Sequence, residues 1–160
     1  MIKSILLYPD PALRKICRSV SLSNVRELLA DLADTLYATN GIGLAAPQIG
    51  VDLRVAVVDA TRKHGVVGHG LLTLIDPMIV HEGGIKLVRE GCLSIPDFTG
   101  NVKRYEAVTV ASRDINGRMH AWICDGLEAI AVQHEIDHLD GRVFLDRISN
   151  LKRDLIPRKV

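Results

Sequence analysis

Apolar residues recur at two periods along this chain, and each period predicts a different element. Val25, Leu28, Leu29, Leu32, Ala33, Leu36 and Tyr37 follow the i, i+3, i+4, i+7 spacing of a helix with one buried stripe. Ser23 or Asn24 is placed to cap it, Glu27 stands three residues beyond Asn24, and Asn40-Gly41 predicts its end. Ahead of it, Tyr8-Pro9-Asp10-Pro11 predicts an extended, turn-rich segment. The middle of the chain reads as strands over 55–58, 71–75 and 79–88, the second closed by Asp76-Pro77 and the third interrupted at Gly83-Gly84. Strands over 106–112 and 119–124 flank Asp114-Ile115-Asn116-Gly117, a strong hairpin signal. The Gly-rich stretch 61–70, with His64 and His69, reads as a solvated loop.

The last clear element is a helix over 126–140, with Asp125 at its cap, Glu128 three residues further on and Gly141 at the left-handed position after its end. Leu127, Ala129, Ile130, Ala131, Val132, Ile136 and Leu139 make it apolar on most sides, the pattern of a buried helix. Its C-terminal half nevertheless carries Gln133, His134, Glu135, Asp137 and His138. Polar groups in a buried helix are costly without partners, so this conflict marks a site.

Composition narrows the function classes. The formal net charge is +1, which gives no electrostatic case for a nucleic-acid binder. No apolar stretch approaches the roughly 20 residues that span a bilayer, and residues 1–7 lack the features of a signal peptide. A cytoplasmic location is expected. Cys17, Cys92 and Cys124 make an odd number, which argues against a disulfide framework; Cys17 and Cys124 read as small buried hydrophobes. No repeat or linker divides the chain, so one catalytic domain is expected over residues 1–160.

The chemistry sits in the helix. His134 and His138 lie about 40° apart around its axis, so both imidazoles reach one ion. Glu135 stands about 60° beyond His138, where it approaches a water on that ion without ligating it. This is H-E-x-x-H: two ligands and a general base. A catalytic site of this kind needs a third protein ligand and an open position, and Cys92 competes for that place with several acids. Considered alone, Cys92 in Glu90-Gly91-Cys92-Leu93-Ser94 is better read as a buried hydrophobe, and Gly41 to Gln48 as a tight turn on the core.

Together, however, GIGLAAPQ, EGCLS and QHEIDH resemble, in this order and at every defining position, the G-x-G-x-A-A-x-Q, E-G-C-x-S and Q-H-E-x-D-H motifs of the peptide deformylases. The resemblance extends to YPDPALR near the start and to HLDG after the last histidine. It implies Cys92, His134 and His138 as metal ligands and Glu135 as general acid/base. It implies the Gln48 amide and the Leu93 N–H as donors to a formyl oxygen. Ile42, Val88, Leu127, Ile130 and Ala131 would form a methionine pocket, with Gly43 and Gly91 also at the substrate and Glu90 and Gln133 in support. The reaction implied is removal of the formyl group from N-terminal formylmethionine of nascent chains, releasing formate. The implied cofactor is one divalent ion, Fe²⁺ in the cell, with Zn²⁺, Ni²⁺ or Co²⁺ tolerated. The implied fold is α+β, with antiparallel sheets around the helix near 126–140 and the helix near 24–40 outside. An edge for the substrate backbone is expected after Cys92 or near Gly41.

One position departs from the pattern. Many members have Arg seven residues after the cysteine, where this chain has Thr99, and Arg104 is a candidate to take that Arg's place. The basic tail with Arg147, Lys152, Arg153, Arg158 and Lys159 suggests ribosome docking by analogy with some members, against the plainer reading of a solvated terminal helix or frayed end. Two rivals stand beside this reading. One is an H-E-x-x-H endopeptidase. The other is a binding protein whose structural metal is closed by a fourth ligand such as Cys124.

Overall fold

The stripe of leucines forms helix α1 (Val25–Tyr37), and the computed structural model describes it within residues 1–159. A 3₁₀ turn over Leu22–Asn24 leads into α1, and neither Ser23 nor Asn24 makes a side-chain cap bond. The 3₁₀ turn already supplies backbone continuity at that end. The helix also stops ahead of Asn40-Gly41, with Ala38 as its C-cap, because Leu36 O and Thr39 close a terminal turn there.

Among the described residues, six strands build one antiparallel sheet: β1 (Gly43–Ala45), β2 (Val55–Val58), β3 (Leu72–Cys92), β4 (Ile95–Arg113), β5 (Met119–Asp125) and β6 (Leu155–Pro157). The order is β1-β2-β3-β4-β5, and β6 pairs with β4. The two strands expected over 71–75 and 79–88 are one. Asp76-Pro77 does not end it; the register shifts between Ile75 and Met78 and pairing with β4 resumes. Asp76 adopts φ +48, and its carboxylate is held by Ser19 Oγ, the Val20 N–H and Arg113, which fixes the bulge in place. Pairing also continues through Gly83-Gly84. The β4–β5 hairpin turns at Asn116-Gly117 as expected, with Gly117 at φ +81.

β2 explains the layering. Val55 and Val57 point to the α1 side, packing with Leu28, Leu32 and Leu36, whereas Ala56 and Val58 point to the opposite face with Ala129, Val132 and Leu139. A strand covered on both faces is apolar at every position, and all four residues are buried. The opposite face receives helix α2 (Gly126–Leu139), with α1 outside the sheet. Asp125 stands at the N-cap of α2 without a side-chain cap bond, and Glu128 turns instead to His69. His69 is therefore pinned at the end of its loop, and the loop itself is largely exposed, as expected.

Over the described residues 147–159, the C-terminal segment is neither a terminal helix of any length nor frayed. After a single turn, α3 (Leu151–Asp154), the chain enters β6, and Leu155, Ile156 and Pro157 pair with Gly100, Thr99 and Phe98. Leu155 and Ile148 cover a small core of Cys92, Ile95, Val102, Val143 and Phe144. That burial anchors the tail beside the cysteine motif.

Candidate metal centre

Helix α2 carries His134 and His138 on one face, one turn apart, and the end of β3 delivers Cys92 to them. Cys92 Sγ lies 3.4 Å from His138 Nε2, and the three side chains present ligand atoms all within 4.8 Å of one another. Ions of this kind take sulfur at about 2.3 Å and imidazole at about 2.0–2.1 Å, so tetrahedral ligands stand about 3.5 Å apart. The donor set fits a single divalent cation. His134 Nδ1 meets Glu90 Oε1 at 2.7 Å, which directs its other nitrogen to the centre. All three residues are buried.

Glu135 is buried beside them, and its Oε1 has no hydrogen-bond partner. Burial pushes its carboxyl up to about 7, although His134 and Arg104 pull the other way. Burial also works against a charge on His134, but Glu135, Cys92 and Glu90 outweigh it and hold that ring well above its ordinary value. His138 moves the opposite way, lowered by burial and by the neighbouring His134. A Cβ on Gly43 would lie 2.5 Å from Glu135 Oε2, so only glycine lets β1 pass this close to the carboxylate.

Gln48 is buried at the end of the Gly41–Gln48 motif, which is not a plain turn but β1 followed by a 3₁₀ turn, Ala46–Ile49. Its Oε1 accepts from the Ala45 N–H at 2.9 Å, which fixes the amide's orientation. Its Nε2 therefore donates toward Ser94 Oγ at 3.1 Å and Cys92 Sγ at 3.7 Å. Leu93 occupies the tight turn between Cys92 and Ile95, and its side chain packs against Gly41.

A cavity of about 490 Å³ opens onto this cluster. Ile42, Gly43, Val88, Gly91, Leu127, Ile130 and Ala131 line it, together with Gln48, Cys92, Leu93, His134 and Glu135. Every residue assigned to the substrate from the sequence thus faces one space. Gln133 does not: its amide clamps α2 to β4 through Tyr105 N–H and O. Thr99 accepts a bond from Arg89 Nε.

Arg104 has no place in that cavity. It is buried, donating to Glu90 at 2.6 and 3.0 Å and to Asp137 at 2.7 Å, and Arg147 closes the chain with 2.7 and 3.1 Å bonds to Asp137. It cannot replace an Arg at position 99. It serves the ligands instead: burial opposes a charged Glu90, but His134 and Arg104 hold that carboxyl down at about 2. The sequence reading missed this role of Arg104, Asp137 and Arg147. The available signal was Asp137 itself, an acid in a buried helix that required a cation.

A second grouping, His69, Cys124 and Glu128, is not a comparable centre. Glu128 is already satisfied by the His69 N–H at 2.8 Å and its ring at 2.5 Å. That spacing is a hydrogen bond, shorter than the roughly 3.3 Å between two ligands of one ion. Burial pushes the Cys124 thiol up to about 12, and Cys124 lies with Glu128 rather than with Cys92.

A helix-borne histidine pair, a strand-borne cysteine and a buried acid at the foot of an apolar cavity are the arrangement of a metal-dependent hydrolase. The sequence profile described as polypeptide deformylase matches residues 2–154. A peptide deformylase of Acidobacterium capsulatum is 43% identical over 162 aligned residues, covering 100% of this chain and 94% of its own. The crystal structure of a Legionella pneumophila peptide deformylase superposes with a TM-score of 0.86 at 41% identity, over 96% of this chain and 89% of the other. A Met-Ala-Ser-bound class I type b peptide deformylase of Acinetobacter baumannii gives 0.85 at 31% identity, covering 92% and 99%. The chain belongs to the peptide deformylase family, whose members are metal-dependent hydrolases.

Proposed function

We propose that this protein removes the formyl group from the N-terminal formylmethionine of newly made polypeptides and releases formate. The observation that carries the reading is the unpartnered Oε1 of buried Glu135, set beside Cys92, His134 and His138 at the foot of the apolar cavity. Those three side chains would hold one divalent ion. When bound, the ion supplies acidification of a water to near neutrality and polarisation of the formyl carbonyl. Glu135 takes the proton of the attacking water and returns it to the amine as the C–N bond breaks. The Gln48 amide, its orientation fixed by Ala45, and the Leu93 N–H donate to the formyl oxygen as negative charge develops there. The apolar side chains of Ile42, Val88, Leu127, Ile130 and Ala131 fit a methionine thioether.

The peptide backbone would run between Gly41–Gly43 and Val88–Gly91, an edge of β1 and an edge of β3. The edge after Cys92 is taken at Phe98–Gly100 by β6. The Met-Ala-Ser complex of the Acinetobacter relative supports a peptide of this length as ligand. We assign Fe²⁺ as the ion in the cell, with Zn²⁺, Ni²⁺ or Co²⁺ as competent substitutes, since a thiolate and two imidazoles suit all four. No helix among the described residues is long and apolar enough to cross a membrane, and we assign a cytoplasmic location. Ribosome docking would use the exposed Lys152, Arg153 and Lys159. Charge reversal at the three should then lower co-sedimentation with ribosomes.

The deciding experiment incubates the metal-loaded protein with formyl-Met-Ala-Ser and with unmodified peptides. Stoichiometric formate with an intact peptide supports the reading. Internal cleavage without formate supports the endopeptidase and removes it.

A further inference from the structure

The cavity has a cation at its rim that the chemistry above leaves unused. Arg158 follows β6, and its backbone N–H donates to Asp97 O at 2.8 Å, continuing the strand pairing of the tail. Its guanidinium lies directly over Gly91, in the space a side chain at that position would fill, and it lines the cavity that holds Cys92 and Glu135. The residue is exposed, and no carboxylate pairs with it among the described residues. Its backbone is anchored by the sheet, and its guanidinium, at the cavity lining, has five N–H donors to offer. Gly91 is a place where an extended peptide would pass close to the sheet edge.

Resting on the deformylase reading, we propose that Arg158 is a substrate-positioning residue that donates to a main-chain carbonyl of the peptide, downstream of the residue seated in the cavity. A planar, permanently charged fork suits carbonyl and carboxylate oxygens alike. The site is at the mouth rather than at the reacting carbon. It therefore acts on binding of longer substrates and leaves the chemical step alone. The lack of a side chain at Gly91 is what lets the guanidinium reach this place, which couples the cysteine motif to the C-terminal strand.

The test compares wild type, Arg158→Ala and Arg158→Lys on formyl-methioninamide, formyl-Met-Ala-Ser and formyl-Met-Ala-Glu, with thermal unfolding and metal content measured for each. Arg158→Ala should raise KM for the tripeptide by about 5- to 20-fold, the range of one charged hydrogen bond at an exposed site, with kcat unchanged. Formyl-methioninamide should be turned over equally by both proteins, and Arg158→Lys should recover part of the loss. An equal loss on both substrates, or none on the tripeptide, overturns the proposal. A loss confined to peptides with Glu at the third position overturns the main-chain assignment in favour of an acidic side chain. Calorimetric titration with Met-Ala-Ser gives a second reading that needs no turnover. If wild type releases no formate, the deformylase reading falls, and weaker tripeptide binding by Arg158→Ala still decides the role of Arg158.

Discussion

Glu135 and Gly43 meet at the centre, and each carries an expectation of its own. Glu135 Oε1 is buried without a partner, so replacing it by glutamine keeps the shape and removes the base. Glu135→Gln should bind metal as wild type does while turnover falls by about 10²–10⁴, the usual contribution of a positioned acid–base group. Metal analysis and formate release measure the two sides; a fully active variant would remove Glu135 from the mechanism. Gly43→Ala places a methyl 2.5 Å from Glu135 Oε2 and must displace it. A shift of about 1 Å in a catalytic group costs about 100-fold in rate, so kcat should drop by that order while the unfolding midpoint changes little. A kcat near that of wild type would show that the carboxylate is not held by this contact.

Between elements, the decisive structure is a buried charge chain. Glu90 on β3, Arg104 on β4 and Asp137 on α2 join three elements, and Arg147 adds the segment after α2. Buried ion pairs are weak stabilisers as such, but removing one partner strands the other, at a cost of about 3–5 kcal/mol. Glu90→Gln should therefore lower stability at neutral pH by roughly that amount and loosen His134, reducing metal affinity about 10- to 100-fold. The pH dependence follows from the depressed Glu90 carboxyl, moved from 4.5 to about 2. Its stabilisation is complete above the unfolded value and is lost as pH falls through the folded one. The difference in unfolding free energy between wild type and Glu90→Gln should narrow between pH 4.5 and 2. A gap that stays constant across that range would contradict the assignment.

On the scale of the molecule, the centre joins α2 to the far end of β3, two elements that meet only through tertiary packing. An ion held there binds the folded state alone. At a thousandfold excess over its Kd it contributes about 4 kcal/mol, worth roughly 10 °C in a chain of this size. Removing the metal with a chelator should lower the unfolding temperature by that order, and re-addition should restore it. Complete metal loss with an unchanged transition would place the ion away from these three ligands. The cavity is likewise a property of the whole: α2 supplies one wall, β1 and β3 the other, and the tail strand its rim.

The local patterns were sufficient wherever a residue's partner lay within a turn or a hairpin. The stripe of α1, the Asn116-Gly117 corner and the one-turn spacing of His134 and His138 are fixed by periods of the chain, and the structure repeats them. Cys92, Gln48 and the apolar lining came from the resemblance carried by three ordered motifs, and the structure gathers them around one cavity. Three things needed the folded chain. The bulge at Asp76 joins two expected strands, since Ser19, Val20 and Arg113 hold it from elsewhere. Arg104 looked available for a substrate but is consumed by Glu90 and Asp137, 14 and 33 residues away. The tail became a strand beside the cavity because Leu155 and Ile148 find cover there. In each case the deciding interaction joins residues far apart in sequence, and a charge or an unpaired backbone settles only when the partner that satisfies it has arrived.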